Sequence, residues 1–190
     1  MFRPVLVTAP TTDMVSLAEA KAHCRVDHDD EDAYLSALIE AATSHLDGYS
    51  GVLGRALLPQ TWRQDFEDFG DVMRLPVGPV QSITTVSYQD ASGADQTLSS
   101  TEYVLLRDDF GDYVTLAANK SWPSVGDRAD AVRITYLAGT PTIPVAIKHA
   151  ALLLVGHWFA NREAVLTGTI ATQTPMAVDA LLTPYRVVTV

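Results

Sequence analysis

The 190-residue sequence predicts an α+β fold: a small helical bundle, made of two N-terminal helices and a buried C-terminal helix, with an inserted antiparallel β section and an extended C-terminal tail. Three observations carry this. Apolar residues recur at helical spacing between Leu35 and Tyr49, alternate with polar ones between residues 61 and 137, and run almost unbroken from Ala150 to Phe159. A β section placed between helices that must pack on one another gives segregated layers, read here as a single domain over residues 1–190.

Residues 1 to 15 read as an extended lead. Ser16-Leu17-Ala18-Glu19 then has the spacing of a capping box, in which serine and glutamate each accept from the other's backbone N–H, and a short helix follows to about Arg25. The acids at 29 to 32 are expected in the first turn of a second helix, where they favour its positive end. Leu35, Leu38, Ile39, Ala42, Leu46 and Tyr49 form its apolar stripe, which ends near Gly48 and Gly51, so the N-terminal helices occupy residues 16–51.

From Thr61 the period changes to two, with candidate strands at 61–66, 71–75, 82–89, 95–98, 102–107, 112–117 and 131–137. Asp90-Ala91-Ser92-Gly93 is a turn signal between alternating runs, which predicts an antiparallel hairpin. Pro76, Gly78 and Pro79 mark another turn, and Gly139, Pro141 and Pro144 close the β section of residues 61–137.

Pro144 suits a first helical turn, so the C-terminal helix spans 144–163. A bilayer span needs roughly 20 consecutive apolar residues. This run is cut within a dozen by Lys148 and His149 on one side and by Asn161, Arg162 and Glu163 on the other. Apolar residues on every face therefore predict burial by protein, with the stripe of the second helix as the natural cover. In the C-terminal arm, residues 175–190, Val178, Leu181 and Leu182 are expected to dock as a short apolar turn, Pro184 to stop any helix, and the β-branched "RVVTV" to be extended.

The composition narrows the functional classes. A 47% hydrophobic content can fill a sizeable core, a lone Cys24 allows no intrachain disulfide, and the opening "MFRPVLVTAPTTD" has no signal-peptide pattern, so a cytoplasmic product is expected. The Asn119-Lys120-Ser121 sequon then has no consequence. With 13 Lys and Arg against 23 Asp and Glu, a formal charge of −10, no basic face is available to hold nucleic acid. An acidic wall suits a passage through which DNA slides without sticking.

Motifs for chemistry are few. His149 and His157 lie eight residues apart, whereas a helical zinc pair wants about four and a third ligand. In "DHDDEDA", Asp27, Asp29 and Glu31 alternate like calcium-loop ligands, but position six is Asp32 instead of glycine and position twelve is Leu38 instead of glutamate. Its acids read as a solvated helix start. No nucleophile elbow, phosphate loop or dinucleotide fingerprint occurs. A hydrolase built from scattered carboxylates such as Asp65, Glu67, Asp108 and Asp109 is an alternative that nothing selects, and no enzyme activity, cofactor or metal is expected.

Several stretches, in order, resemble the head-tail connector (adaptor, or head-completion) proteins of long-tailed bacteriophages and phage-derived gene-transfer particles. They are "SLAEAKAHCRVDHDDEDAYLSALIEAA", "LPQTWRQDF", "LPVGPVQSITTVSYQDASG", "SWP", "VRITYLAGT", "IPVAIKHAALLLVGHWFANRE" and "LLTPYR", covering most of residues 16 to 186. The resemblance implies a structural virion protein without catalysis, found in the neck and made in the bacterial cytoplasm. It implies a homo-oligomeric ring, commonly of twelve copies, below the portal protein and around the DNA channel, offering the next surface to a stopper or tail-completion protein. DNA would pass without specific binding. Two sites follow from it: portal attachment through Tyr185, Arg186, Val187, Val188, Thr189 and Val190, with Arg186 anchoring to a portal carboxylate, and channel-lining acids at Asp27, Asp29, Asp30, Glu31 and Asp32. No site is carried onto residues 164 to 177. A monomeric, non-viral protein-binding module is the alternative that the residues alone allow.

Overall fold

The structure, a computed structural model, describes residues 2–162 and 176–187. The chain divides into two compact units, Met1–Pro10 with Arg55–Thr140, and Thr11–Gly54 with Pro141–Val190.

The second of these units is helical. Helix α1 (Leu17–Cys24) starts at the expected capping box: Glu19 N–H donates to Ser16 Oγ at 3.3 Å and Ser16 N–H to Glu19 Oε2 at 2.9 Å. Arg25, in the left-handed region at φ 59°, ends it. Helix α2 (Asp32–Leu46) buries Leu35, Ile39, Ala42 and Leu46, four of the six predicted stripe residues. Leu38 is half-buried, and Tyr49 lies beyond the helix and is exposed.

The expected first turn needs correcting. Asp32 N–H donates to the Asp29 carbonyl at 3.1 Å, so Asp29 to Glu31 form a turn ahead of α2 and only Asp32 is within it. Helix α3 (Val145–Ala160) follows Pro144, which is its N-cap. It packs against α1, α2 and the short α4 (Met176–Leu182). Gly156 leaves room for the His23 side chain of α1, since a Cβ there would lie 3.0 Å from His23 Nε2. Burial follows one line, Ile147, Ala150, Ala151, Leu154 and Val155; among the described residues Leu152, Leu153, Trp158 and Phe159 are half-buried and Val145 is exposed. A helix that is apolar all round carries no direction, so its sequence cannot say which line is covered.

The β unit opens with β1 (Val5–Thr8), where the sequence suggested only an extended lead. Then come β2 (Gln60–Phe66), β3 (Met73–Leu75), β4 (Val80–Gln89), β5 (Asp95–Thr97), β6 (Tyr103–Asp108), β7 (Gly111–Leu116) and β8 (Val132–Ala138). One sheet has the order β1-β2-β8-β4-β5 and the other β3-β7-β6, with antiparallel pairing throughout. The predicted hairpin is present as β4 and β5. Alternation along β8 sends Val132, Ile134, Tyr136 and Ala138 to one face, where they join Trp62, Val86, Met73, Leu75, Val77 and Val114 in the core.

Buried polar groups in this core are placed for use. Trp62 Nε1–H donates to Gln60 Oε1 at 3.0 Å, and Gln64 Nε2–H to the Phe2 carbonyl at 2.8 Å, which helps hold β1. Asp112 on β7 is 4% exposed and accepts from Val80 N–H at 2.7 Å and Arg107 Nε–H at 2.6 Å. It thereby joins the three-stranded sheet to the start of β4.

Candidate functional site

The acids between α1 and α2 are largely engaged. Lys21, on the last turn of α1, places Nζ 2.6 Å from Asp29 and 2.7 Å from Asp32. The hydrogen bond from Lys21 holds the Asp29 carboxyl below the usual range, and Asp29, then Asp32, raise the Lys21 ammonium in return. Arg162 lies 2.8 Å from Glu31, and His28 Nδ1 is 3.8 Å from Asp30. Asp27 is exposed. Two cations against five carboxylates leave the cluster acidic, but three of its five acids have a fixed basic partner.

At the C-terminal end, α4 buries Val178 and Leu182, a full helix where the sequence suggested a short turn. Thr183–Tyr185 form a 3-10 turn containing Pro184, stapled by Thr183 Oγ1–H donating to the Asp179 carbonyl at 2.7 Å. The chain then becomes extended at Arg186 (φ −68°, ψ 134°). Arg186 pairs with Asp179 of its own chain at 2.6 Å, and Val187 N–H donates to the Leu53 carbonyl at 3.1 Å. Tyr185 is half-buried and the Val187 side chain exposed. Val188, Thr189 and Val190 lie outside the described residues, as do residues 163 to 175, and so most of the 164–177 stretch.

Two of the four scattered carboxylates, Asp65 and Asp108, are held by arginines. Asp65 is bidentate to Arg63 at 2.8 and 3.1 Å, and Asp108 is bidentate to Arg74 at 2.6 Å for both bonds. Asp109 is exposed. Glu67 lines an open cleft of about 350 Å³ with Phe2, Phe66, Asp68, Val72 and Arg74. His149 meets the His23 ring edge-on at 6.2 Å, and His157 accepts Asn161 Nδ2–H on its carbonyl at 2.8 Å at the end of α3. Among the described residues no three His, Cys, Asp or Glu side chains gather as a metal-holding group, and no helix is long and apolar enough to cross a membrane.

What the sequence did not single out is surface. Val5, Leu6 and Val7 on β1, and Val104, Leu106 and Phe110 around β6, are exposed apolar residues on strand edges. Strand alternation was the available signal for β6, whereas β1 lies outside any alternating run long enough to notice.

Residues 14–102 match the profile of the phage gp6-like head-tail connector protein family. No curated protein matches. Solved structures do match over the whole length. A chain from the neck of an empty gene transfer agent particle, computed with C6 symmetry, is 25% identical with a TM-score of 0.76, covering 100% of this chain and 97% of that one. A chain from the neck of the native particle, computed with C12 symmetry, is 24% identical with a TM-score of 0.68 and the same coverage of 100% and 97%. A chain from the virion of the native particle is 23% identical, with a TM-score of 0.69. The α+β fold and the resemblance to head-tail connectors are borne out.

Proposed function

We propose that this chain is a structural head-tail connector of a phage or phage-derived gene-transfer particle. In this reading it is a virion protein of the neck, whose two units act together as one connector module. The observation that carries it is the likeness of the entire chain, at a TM-score of 0.76, to a chain from a particle neck, together with the family match over residues 14–102. Twelve copies form a ring below the portal and around the DNA channel, and offer the opposite surface to a stopper or tail-completion protein. Its role is assembly and not catalysis. The pairing of Asp65 and Asp108 with arginines supports that.

Two sites belong to the proposal. The acids Asp27, Asp29, Asp30, Glu31 and Asp32 face the channel, where a net negative surface repels DNA phosphates and lets them slide. Residues Tyr185 to Val190 attach to the portal, with Arg186 exchanging Asp179 for a portal carboxylate. The test is removal of the gene from its producing strain. DNA-filled heads without tails are expected; normally tailed particles would end the connector reading. A map of the ring with the five acids far from the lumen would end the channel role alone.

A further inference from the structure

The β unit has four sheet edges, and they differ in a way that bears on how copies meet. In the five-stranded sheet the edges are β1 and β5, and in the three-stranded sheet β3 and β6. Strand β5 is three residues of exposed polar Asp95–Thr97, and β3 is three residues with Met73 and Leu75 buried. Edges of three residues offer little template for a further strand. The other two are longer and apolar. On β1, Val5, Leu6 and Val7 are 41% to 52% exposed; on β6, Val104 and Leu106 are exposed, and Phe110 at the β6–β7 turn is 78% exposed.

Charge separates these two edges from the rest of a chain of net charge −10. Residues 4 to 10, Pro-Val-Leu-Val-Thr-Ala-Pro, carry no charge at all. On β6 the two charged residues are each neutralised within the chain, Arg107 by Asp112 and Asp108 by Arg74. Two acidic copies therefore meet with least repulsion where β1 faces β6. A ring also requires two different complementary faces on every subunit, since a self-complementary face closes a dimer.

We propose that β1 of one copy adds to the free edge of β6 of the next, so that the sheets run on from subunit to subunit around the ring. The occupant of each edge is a second copy of this chain. The inference rests on the ring reading above. Backbone hydrogen bonds supply the attraction, and the exposed apolar side chains fix the register. Pro4, which has no N–H to donate, limits the added strand to about the four residues of β1.

The test uses full-length chains carrying Cys24→Ala, with either Val7→Cys or Leu106→Cys, treated with a short bismaleimide alone and with the portal protein. Native mass spectrometry records the oligomers present. A mixture of the two variants should give cross-linked dimers, each variant alone should give none, and a chain with both cysteines should give a ladder. Leu106→Asp should lower the multimer population at least tenfold, and Val7→Lys on the same chain should restore it. Dimers from either variant alone, or no mixed adduct in a preparation that is multimeric, would overturn the strand pairing and leave the ring standing. Absence of any multimer, with portal or without, would remove the ring and this pairing together.

Discussion

The Arg162 guanidinium lies 2.8 Å from the Glu31 carboxylate while covering the Tyr34 ring at 4.6 Å and the Phe159 ring at 5.2 Å. It ties the end of α3 to the start of α2 by charge and by a flat stacking surface at once. Arg162→Lys keeps the charge and loses the plane, so it should recover only part of what Arg162→Ala loses. Thermal melts should rank wild type above lysine above alanine, with the whole range about 2–4 °C. Equal melting of the lysine variant and wild type would show that stacking contributes nothing.

Asp112 offers a sharper case, because it is buried and doubly engaged. Asp112→Ala leaves the Val80 N–H without its partner and should cost about 2–3 kcal/mol in denaturant unfolding. Gly78→Ala places a Cβ 2.7 Å from Asp112 Oδ2, and that oxygen cannot give way without releasing Val80. It should cost about 1–2 kcal/mol alone. In the double variant the clash is gone, so the two costs should sum to more than the measured loss. Strict additivity would mean that the two positions do not meet.

Acid sensitivity should have a local origin in Glu19. Its carboxyl is held at about 2, against an ordinary 4.5, first by the Lys148 side chain and then by the Ser16 backbone and hydroxyl. Because the folded value is the lower one, the stabilisation is present above pH 4.5 and is lost as the pH falls toward 2. Asp90, held at about 2 by Ser92 and Gln96, acts with the same sign in the β4–β5 turn. Glu19→Gln should melt lower than wild type at pH 7, and the gap should close between pH 4.5 and 2. A gap that stays constant across this window would assign the loss to something other than the charge.

These residues also show what was legible in advance. The capping box at Ser16 and Glu19 is a local pattern with one geometry, and both of its hydrogen bonds are present. Strands β2 to β8 lie within two residues of the predicted spans: alternation marks those with one buried face, such as β2 and β8, and the Asp90–Gly93 turn marks β5. Their pairing was not legible. That β8 lies between β2 and β4 depends on contacts some 70 residues apart in the case of Trp62 and Tyr136, which no local period encodes. Helix α4 is seven residues long, too few to show a period, so its sequence suggests only a turn. For the candidate sites, the sequence located the acids, but the partners that neutralise them, Lys21 and Arg162, come from elsewhere in the chain.

The C-terminal segment carries the prediction closest to function. Among the described residues two ties hold it in its own chain, Arg186 to Asp179 and Val187 N–H to the Leu53 carbonyl. Removing Val188 to Val190 spares both of these ties. Removing Tyr185 to Val190 breaks both, and the lost backbone hydrogen bond alone should cost about 1 kcal/mol. If the segment attaches to the portal, both truncations should lose co-sedimentation with it, and thermal melts of each separate lost attachment from lost folding. Asp179→Ala tests the exchange of partners: it frees Arg186 from its own chain and should tighten portal binding, whereas Arg186→Ala should weaken it. Normal binding by the chain lacking residues 185 to 190 would exclude the segment from portal attachment. Binding lost only in the longer truncation would move the contact to Tyr185, Arg186 and Val187.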